Sequence, residues 1–292
     1  MISTKFSWRF LKVGSQAGLS IADIDVNIGL HIAFESPMEA FELVRLVRLL
    51  RGARLRAVTL QLSFVEHACS AEVEREVSAW AEDEQIEEFS VSGVRFSLGV
   101  ASTPARTIRV SGCSVRVQHA PFATQIHFRD MWGRASHWDE VIGSAPLLEH
   151  VELAGLGSLR SLRGFPPLVS WLELAYMRGL TSLDAVAPEP LRMLILKRCP
   201  AIDLDTFGAQ SRMSELRVGL TNVKRPGIGR LAAKGVAYLD LIDSDVIDDD
   251  LDPLVGVPDL QMNWKKHYPL TQDELDARRG ALGLPSSRWR VG

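Results

Sequence analysis

The side chains of this sequence that could do chemistry include an acidic stretch near residue 250. It contains Asp243, Asp245, Asp248, Asp249, Asp250 and Asp252. A calcium-binding EF-hand loop needs an oxygen ligand at its fifth position, glycine at its sixth and glutamate at its twelfth. Those positions here hold Ile247, Asp248 and Leu254. We therefore expect a solvated loop, and a surface that steers a basic partner is the functional alternative.

Two histidines, His127 and His150, are expected on neighbouring strands with outward-facing side chains, where they could bind a metal or act as a base. We find no Asp, Glu or Cys placed to complete a catalytic set, so contact with a partner is favoured. The alternative is a metal-binding protein or enzyme with a site near His127, His150 and Glu152. A stoichiometric transition metal that is lost on His127→Ala would support this alternative.

Other catalytic patterns are weak. His67 and Cys69 are close in sequence, but no third group is visible that would orient a thiol–imidazole pair. The chain has no G-x-S-x-G, P-loop or H-E-x-x-H motif. The glycine pair in Gly227-Ile228-Gly229-Arg230 lacks a third glycine and is interpreted as a turn. We expect neither an enzyme nor a cofactor.

Composition narrows the class of partner. The formal net charge of −3 over 292 residues disfavours a nucleic-acid binder and docking on an anionic membrane. An arginine stripe at Arg45, Arg48 and Arg51 is the only feature that favours nucleic acid. No apolar run reaches the roughly 20 residues that span a bilayer, and no secretory signal is recognisable. The three cysteines form no disulfide or zinc pattern. We expect a cytoplasmic protein, monomeric when unbound, and the excess of arginine over lysine is typical of a bacterial source.

A short motif, apolar-x-x-apolar-x-apolar, organises the chain. Its last two apolar positions are Ile24/Val26, Val58/Leu60, Phe89/Val91, Ile108/Val110, Ile126/Phe128, Val151/Leu153, Leu172/Leu174, Leu194/Leu196, Leu216/Val218, Leu239/Leu241 and Leu260/Met262. The last five steps between final positions are 21, 22, 22, 23 and 21 residues. A period in the twenties is typical of a solenoid, which is usually a binding surface.

The motif resembles the leucine-rich repeat, L-x-x-L-x-L-x-x-N/C-x-L, from Ile21 to Met262. Cys113 and Cys199 match its cysteine variant, and no repeat carries the common Asn. The resemblance implies a right-handed α/β solenoid with a curved parallel sheet on the concave face and helices and turns on the convex face. It also implies a protein partner on the concave face.

The chain is expected to divide into an N-terminal cap (1–20), a solenoid of about eleven repeats (21–265) and a C-terminal helical cap and tail (266–292). Pro37 to Gly52 should form a helix with Phe41, Val44 and Val47 inward. A second helix should follow Ser70, and a third should follow Ser136. The connections after Val91 and Val110 should be tight turns. A capping box at Thr271 should begin a helix that covers the edge strand at Met262.

The residues between the apolar positions should face out of the concave sheet. Large apolar groups there, Trp171, Met193, Ile195 and Tyr238, are typical of binding hot spots. A basic zone comprises Arg109, His127, Arg129 and His150, while Glu152, Glu173 and Glu215 form an acidic one, and Arg217 falls in the row of Ile195. The sequence predicts a non-enzymatic protein-binding module, and a bacterial immunity or regulatory protein is its sharper form. A segment of the same chain packed over the apolar residues is the structural alternative.

Overall fold

The chain forms two compact units, Met1–Ala135 with Asp139–Leu148, and Ser136–Trp138 with Glu149–Gly292. The computed structural model describes residues 9–13, 30–34, 44, 45, 48, 59–64, 71–83, 86–93, 97–131, 135–204, 207, 216–221, 224, 225, 228–241, 244–246 and 251–289.

The first unit is a parallel β-solenoid. Its main sheet has the strand order β1 (Arg9–Val13), β2 (Leu30–Phe34), β3 (Thr59–Phe64), β4 (Glu88–Gly93), β6 (Thr107–Ser111) and β8 (Gln125–Arg129). A second parallel sheet has the order β5 (Ser97–Ser102), β7 (Ser114–His119) and β9 (Ile142–Ser144). Helix α1 (Ala71–Ala81) packs on β5, and the four-residue helix α2 spans Trp138–Val141.

The second unit is also a parallel β-solenoid. Its main sheet has the order β10 (His150–Ala154), β11 (Trp171–Ala175), β12 (Met193–Lys197), β13 (Arg217–Thr221), β15 (Tyr238–Leu241), β17 (Asp259–Met262) and β18 (Arg288–Trp289). Strands β14 (Lys224–Arg225) and β16 (Asp245–Val246) pair separately. The helices are α3 (Ile228–Ala233), α4 (Asp252–Val255) and α5 (Gln272–Ala281).

The strands form as predicted because apolar and polar residues alternate along them. In β10, Val151 and Leu153 are buried, whereas the residues on either side are half-buried. Leu194 and Leu196 of β12 are equally buried and pair with Leu172 and Leu174 of β11. Period-two alternation places one set of side chains in the core and the other on the outer face of the sheet. The predicted solenoid and its parallel sheet are therefore confirmed.

Two predicted registers are wrong, each by two residues. Leu60 pairs with Phe89 and Leu62 with Val91, so the anchors of β3 are Leu60 and Leu62, not Val58 and Leu60. Likewise Val218 and Leu220 pair with Leu194 and Leu196, which displaces the predicted Leu216/Val218 pair. The strand before β3 is Leu30–Phe34. An even slip keeps the same residues inside, which is why alternation alone does not detect it.

The predicted Ile24/Val26 pair itself lies outside the described residues, as do Cys69, Arg51 and Glu215. Within the predicted N-terminal cap, β1 pairs in parallel with β2.

The connections between main-sheet strands also differ from the predictions. The segments after Val91 and Val110 contain β5 and β7 rather than tight turns alone. Leu98, Val100, Val115 and Val117 are buried there, because each strand repeats the alternation of the main sheet. Ile228, Gly229 and Arg230 begin helix α3 rather than forming a turn. The second predicted helix does bury Val73, Val77 and Trp80. In the first predicted helix, the described residues Val44, Arg45 and Arg48 are helical.

The turns after five of the main-sheet strands share a positive φ. This φ occurs at Gly112, Gly155, Asp130, Tyr176 and Arg198. In four of these turns the next residue is buried, namely Cys113, Leu156, Met177 and Cys199. Both described cysteines are therefore structural residues.

These buried positions also satisfy backbone groups. The Cys199 thiol donates to the Leu174 carbonyl at 3.3 Å, and the Ser244 hydroxyl donates to the Leu220 carbonyl at 2.6 Å. Each bond reaches the carboxyl end of a preceding strand. Thiol and hydroxyl donors thus satisfy carbonyl groups at the ends of main-sheet strands.

The C-terminal edge of the second unit's main sheet is closed by a strand. The capping box forms as predicted, with the Thr271 hydroxyl accepting from the Glu274 backbone and the Glu274 carboxylate accepting from the Thr271 backbone. However, β18 pairs with β17 and so covers the edge at Met262, where a helix was expected. Among the described helices, none combines the length and apolarity needed to cross a membrane.

Candidate functional site

The outer face of the second unit's main sheet carries eight of the eleven predicted site residues. Strand pairing arranges this face in rows. The first row is His150, Trp171, Met193, Arg217, Tyr238 and Asp259, and the middle row is Glu152, Glu173, Ile195, Gly219, Asp240, Gln261 and Arg288. Parallel strands lie about 4.8 Å apart, so successive side chains in a row are in contact range. We call this surface the outer face.

Two planar stacks occupy the first row. The imidazole of His150 lies on the indole of Trp171, with 5.2 Å between ring centroids and 7° between planes. The guanidinium carbon of Arg217 lies 4.5 Å from the centroid of the Tyr238 ring. Half-buried Met193 stands between Trp171 and Arg217. The row therefore offers flat, pre-positioned aromatic and guanidinium groups, which need little further ordering to make contacts.

The indole N–H of Trp171 is a buried donor. It makes no hydrogen bond to any described residue. A buried amide or indole donor without an acceptor costs roughly 1–3 kcal/mol relative to a bonded one. An acceptor supplied by a bound molecule would remove that cost.

Carboxylates dominate the middle row. Glu152 contacts the His150 Nε2 atom at 2.9 Å, and Glu173 accepts from the Lys197 ammonium at 2.7 Å. Asp240 accepts a hydrogen bond from the Tyr238 hydroxyl at 3.1 Å. Burial, followed by the charge of Asp240, raises the pKa of Tyr238 above its ordinary value of 10.0. The phenol therefore stays a neutral donor to this carboxylate at neutral pH.

The predicted basic and acidic zones are mixed rather than separate. Arg109, in the first unit, forms an ion pair with Glu88 on the neighbouring strand. In the second unit His150 contacts Glu152, a member of the predicted acidic zone. Arg129 is exposed at the end of β8, and His127 is half-buried on the same strand. In each unit, therefore, one of the predicted basic residues lies beside a carboxylate.

The predicted residues fall in two units. Arg109, His127 and Arg129 belong to the first, whereas the other eight belong to the second. The alternative of a metal-binding or enzymatic site, which combined His127 with His150, stays a prediction. One member of the predicted arginine stripe, Arg48, already forms ion pairs within the chain. It pairs with Glu72 at 3.1 Å and with Glu76 at 2.7 Å.

Sequence reasoning missed Gly219. The misplaced register of β13 put Arg217 beside Ile195, but Ile195 pairs with Gly219, and Arg217 pairs with Met193. The sequence does contain a warning of this error: Leu216, Val218 and Leu220 alternate with other residues, so β13 could pair in either of two registers. The correct one brings Arg217 over Tyr238 and leaves a gap beside Ile195.

Comparison with known proteins identifies no relative of this chain. Neither a protein-family model, nor a curated protein sequence, nor a solved structure matches this chain.

Proposed function

We propose that this chain is a non-enzymatic interaction module and that a protein partner binds the outer face of its second unit. The observation that carries the proposal is the first row, in which His150 stacks on Trp171 and Arg217 stacks on Tyr238. Trp, Tyr and Arg are the residues most enriched in the energetic centres of protein interfaces. A partner backbone carbonyl would suit the buried indole N–H of Trp171.

The surroundings of the row fit the same use. The ion pairs Glu173–Lys197 and Asp259–Arg288 lie on the same face. Protein interfaces commonly have a less polar centre and a charged rim. Met193 and Ile195 supply the apolar centre, and both are half-buried before any partner binds. The face thus combines an anchor, an apolar centre and a polar rim.

We also propose that the repeats belong to the leucine-rich-repeat class, with a right-handed coil and the outer face on the concave side. Support comes from the period of the second unit and from the buried donors Cys199 and Ser244. The second sheet of the first unit departs from the pattern. The more specific proposal, to be tested first, is that this chain is a cytoplasmic bacterial immunity or regulatory protein. It would act by covering its partner.

The test compares Trp171→Ala with wild type. A partner captured from the lysate of the native host is identified, purified and titrated calorimetrically against each variant. Loss of a central aromatic anchor costs about 2 kcal/mol or more, so Kd should rise about thirtyfold. Phe122→Ala is the matched control, since this first-unit aromatic is 57% exposed. An unchanged Kd for well-folded Trp171→Ala would contradict the proposal.

A further inference from the structure

We propose that the second unit carries a further binding surface, at the turns that follow β10, β11 and β12, and that this surface binds an acidic segment of a protein. Arg160, Arg178 and Arg198 would receive the carboxylates, and Tyr176 would hold Arg198 in position. We call these four residues the turn edge. The turn edge shares no residue with the outer face, so it goes beyond the proposed function and can hold or fail independently of it.

The backbone at Tyr176 and Arg198 has the left-handed conformation, with φ of 56° and 52°. The turn after β10 adopts the same conformation with Gly155, at a φ of 72°. Glycine tolerates this conformation, whereas a residue with a Cβ atom is strained there. The turn itself therefore needs neither Tyr nor Arg, and two large side chains kept in a strained conformation indicate a use outside the fold.

The two strained residues contact each other through their side chains. The guanidinium carbon of Arg198 lies 5.6 Å from the centroid of the Tyr176 ring, and both residues are exposed. A cation–π contact engages the flat face of a guanidinium and leaves the N–H groups at its edge for other partners. Tyr176 therefore orders Arg198 while leaving the charge and the donors of this arginine available to a ligand.

Arg178 and Arg160 bring two further cations to the same place. The Arg178 amide donates to the Tyr176 carbonyl at 3.1 Å, within the turn after β11. Arg160 belongs to the previous repeat but reaches this turn, because a Cβ atom on Gly179 would lie 2.9 Å from the guanidinium carbon of Arg160. The turn edge therefore combines cations from three successive repeats.

The charges of these three arginines are not compensated by the chain. All three are exposed, and within the described part of the chain none of them forms an ion pair with a carboxylate. Two other exposed arginines of this unit, Arg278 and Arg288, each pair with an aspartate. The turn edge is thus a local positive surface on a chain whose net charge is −3.

An acidic protein segment is the occupant that this chemistry fits. A guanidinium pairs with a carboxylate through two parallel hydrogen bonds, so three arginines suit a short run of Asp or Glu side chains. Nucleic acids depend on many phosphate contacts along a longer basic surface. The net charge of −3 also opposes a long polyanion more than a short acidic segment.

The experiment titrates the full chain into a fluorescein-labelled peptide of alternating glutamate and glycine and follows fluorescence anisotropy. We expect binding that weakens as salt is added, and the same peptide with glutamine in place of glutamate should bind at least tenfold more weakly. Arg178→Gln/Arg198→Gln should raise Kd at least tenfold. Tyr176→Gly should raise Kd about threefold because Arg198 loses its stack, yet unfold at the same or a higher temperature because glycine relieves the strain.

Three variants serve as matched controls. Arg116→Gln removes an exposed arginine from β7 of the first unit and should leave Kd for the glutamate peptide unchanged. Tyr176→Phe keeps an aromatic ring beneath Arg198 and should bind the peptide as wild type does. Trp171→Ala alters the outer face alone and should also bind the peptide normally.

The outcomes separate the turn edge from the proposed function. Unchanged binding by Arg178→Gln/Arg198→Gln, equal binding of the glutamine peptide, or no binding of the glutamate peptide would overturn the turn edge and leave the proposed function standing. A single-stranded DNA of equal charge that binds more tightly than the glutamate peptide would overturn the acidic segment in favour of a nucleic acid. Normal capture of the outer-face partner by Trp171→Ala would contradict the proposed function alone.

Discussion

At the scale of single residues, the most demanding position is Arg279 in helix α5. Its side chain is completely buried, and its guanidinium donates to carbonyls of Leu254, Val257 and Pro285, at 3.3, 2.7 and 3.1 Å. Burial lowers the pKa of this guanidinium below its ordinary value. This one cation thus satisfies backbone carbonyls at and just after the end of α4, and it joins that segment to the C-terminal helix.

Removing this side chain should loosen the C-terminal end of the second unit. Arg279→Ala leaves several buried carbonyls without a donor, at roughly 1–3 kcal/mol each, so the free energy of unfolding should fall by about 3 kcal/mol or more. Arg278→Ala is the control, because that neighbour is half-exposed and pairs with exposed Asp252. Chemical denaturation measures both variants. Equal losses for the two would refute the anchoring role.

At the scale of elements, helix α1 protects the edge of the second sheet in the first unit. The Glu74 carboxylate accepts from the Ser97 amide and the Glu82 carboxylate from the Ala101 amide, both at 2.8 Å. Strand β5 lies at one edge of that sheet. An uncovered edge is a template for pairing with another chain, and the helix together with Glu82, the residue after it, removes this hazard by supplying acceptors.

The double variant Glu74→Ala/Glu82→Ala should expose this edge. We expect faster hydrogen exchange at the Ser97 and Ala101 amides and a stability loss of about 1 kcal/mol per bond. Glu72→Ala provides the comparison, since Glu72 lies on the same helix but pairs with Arg48 instead. Amide exchange followed by mass spectrometry or NMR gives the answer. Unaltered protection at both amides would show that the carboxylates are dispensable.

At the scale of the whole molecule, one repeat pattern decides which side chains are inside. Leu194 is completely buried, and Ile195, the next residue, is half-buried on the outer face. In a solenoid each repeat is stabilised mainly by its neighbours. A defect in one strand should therefore affect the adjacent strands first.

Adjacent alanine substitutions test this arrangement. Leu194→Ala should lower the free energy of unfolding by about 2–5 kcal/mol and reduce exchange protection first in β11 and β13. Ile195→Ala, one residue further along, should cost about 1 kcal/mol or less, since its side chain leaves no closed cavity. Thermal unfolding and amide exchange compare the two. A larger loss for Ile195→Ala would mean that the inside and outside faces are reversed.

The sequence by itself determined the solenoid and, along the main-sheet strands, which side chains face inside and outside. Alternation is local, so Leu172, Leu174 and Glu173 could be assigned to inside and outside from neighbouring residues alone. The same alternation identified Trp171, Met193, Ile195 and Tyr238 as outer-face residues, and the capping box identified the start of α5.

Only the tertiary structure decided the register and therefore the make-up of the candidate site. Leu216, Val218 and Leu220 are all buried, so two registers differing by two residues satisfy the local pattern equally. The choice depends on which pair meets Leu194 and Leu196 across the sheet, a contact between residues distant in sequence. That choice places Arg217 over Tyr238 and Gly219 beside Ile195, because an even slip changes partners while leaving every side chain on its own face.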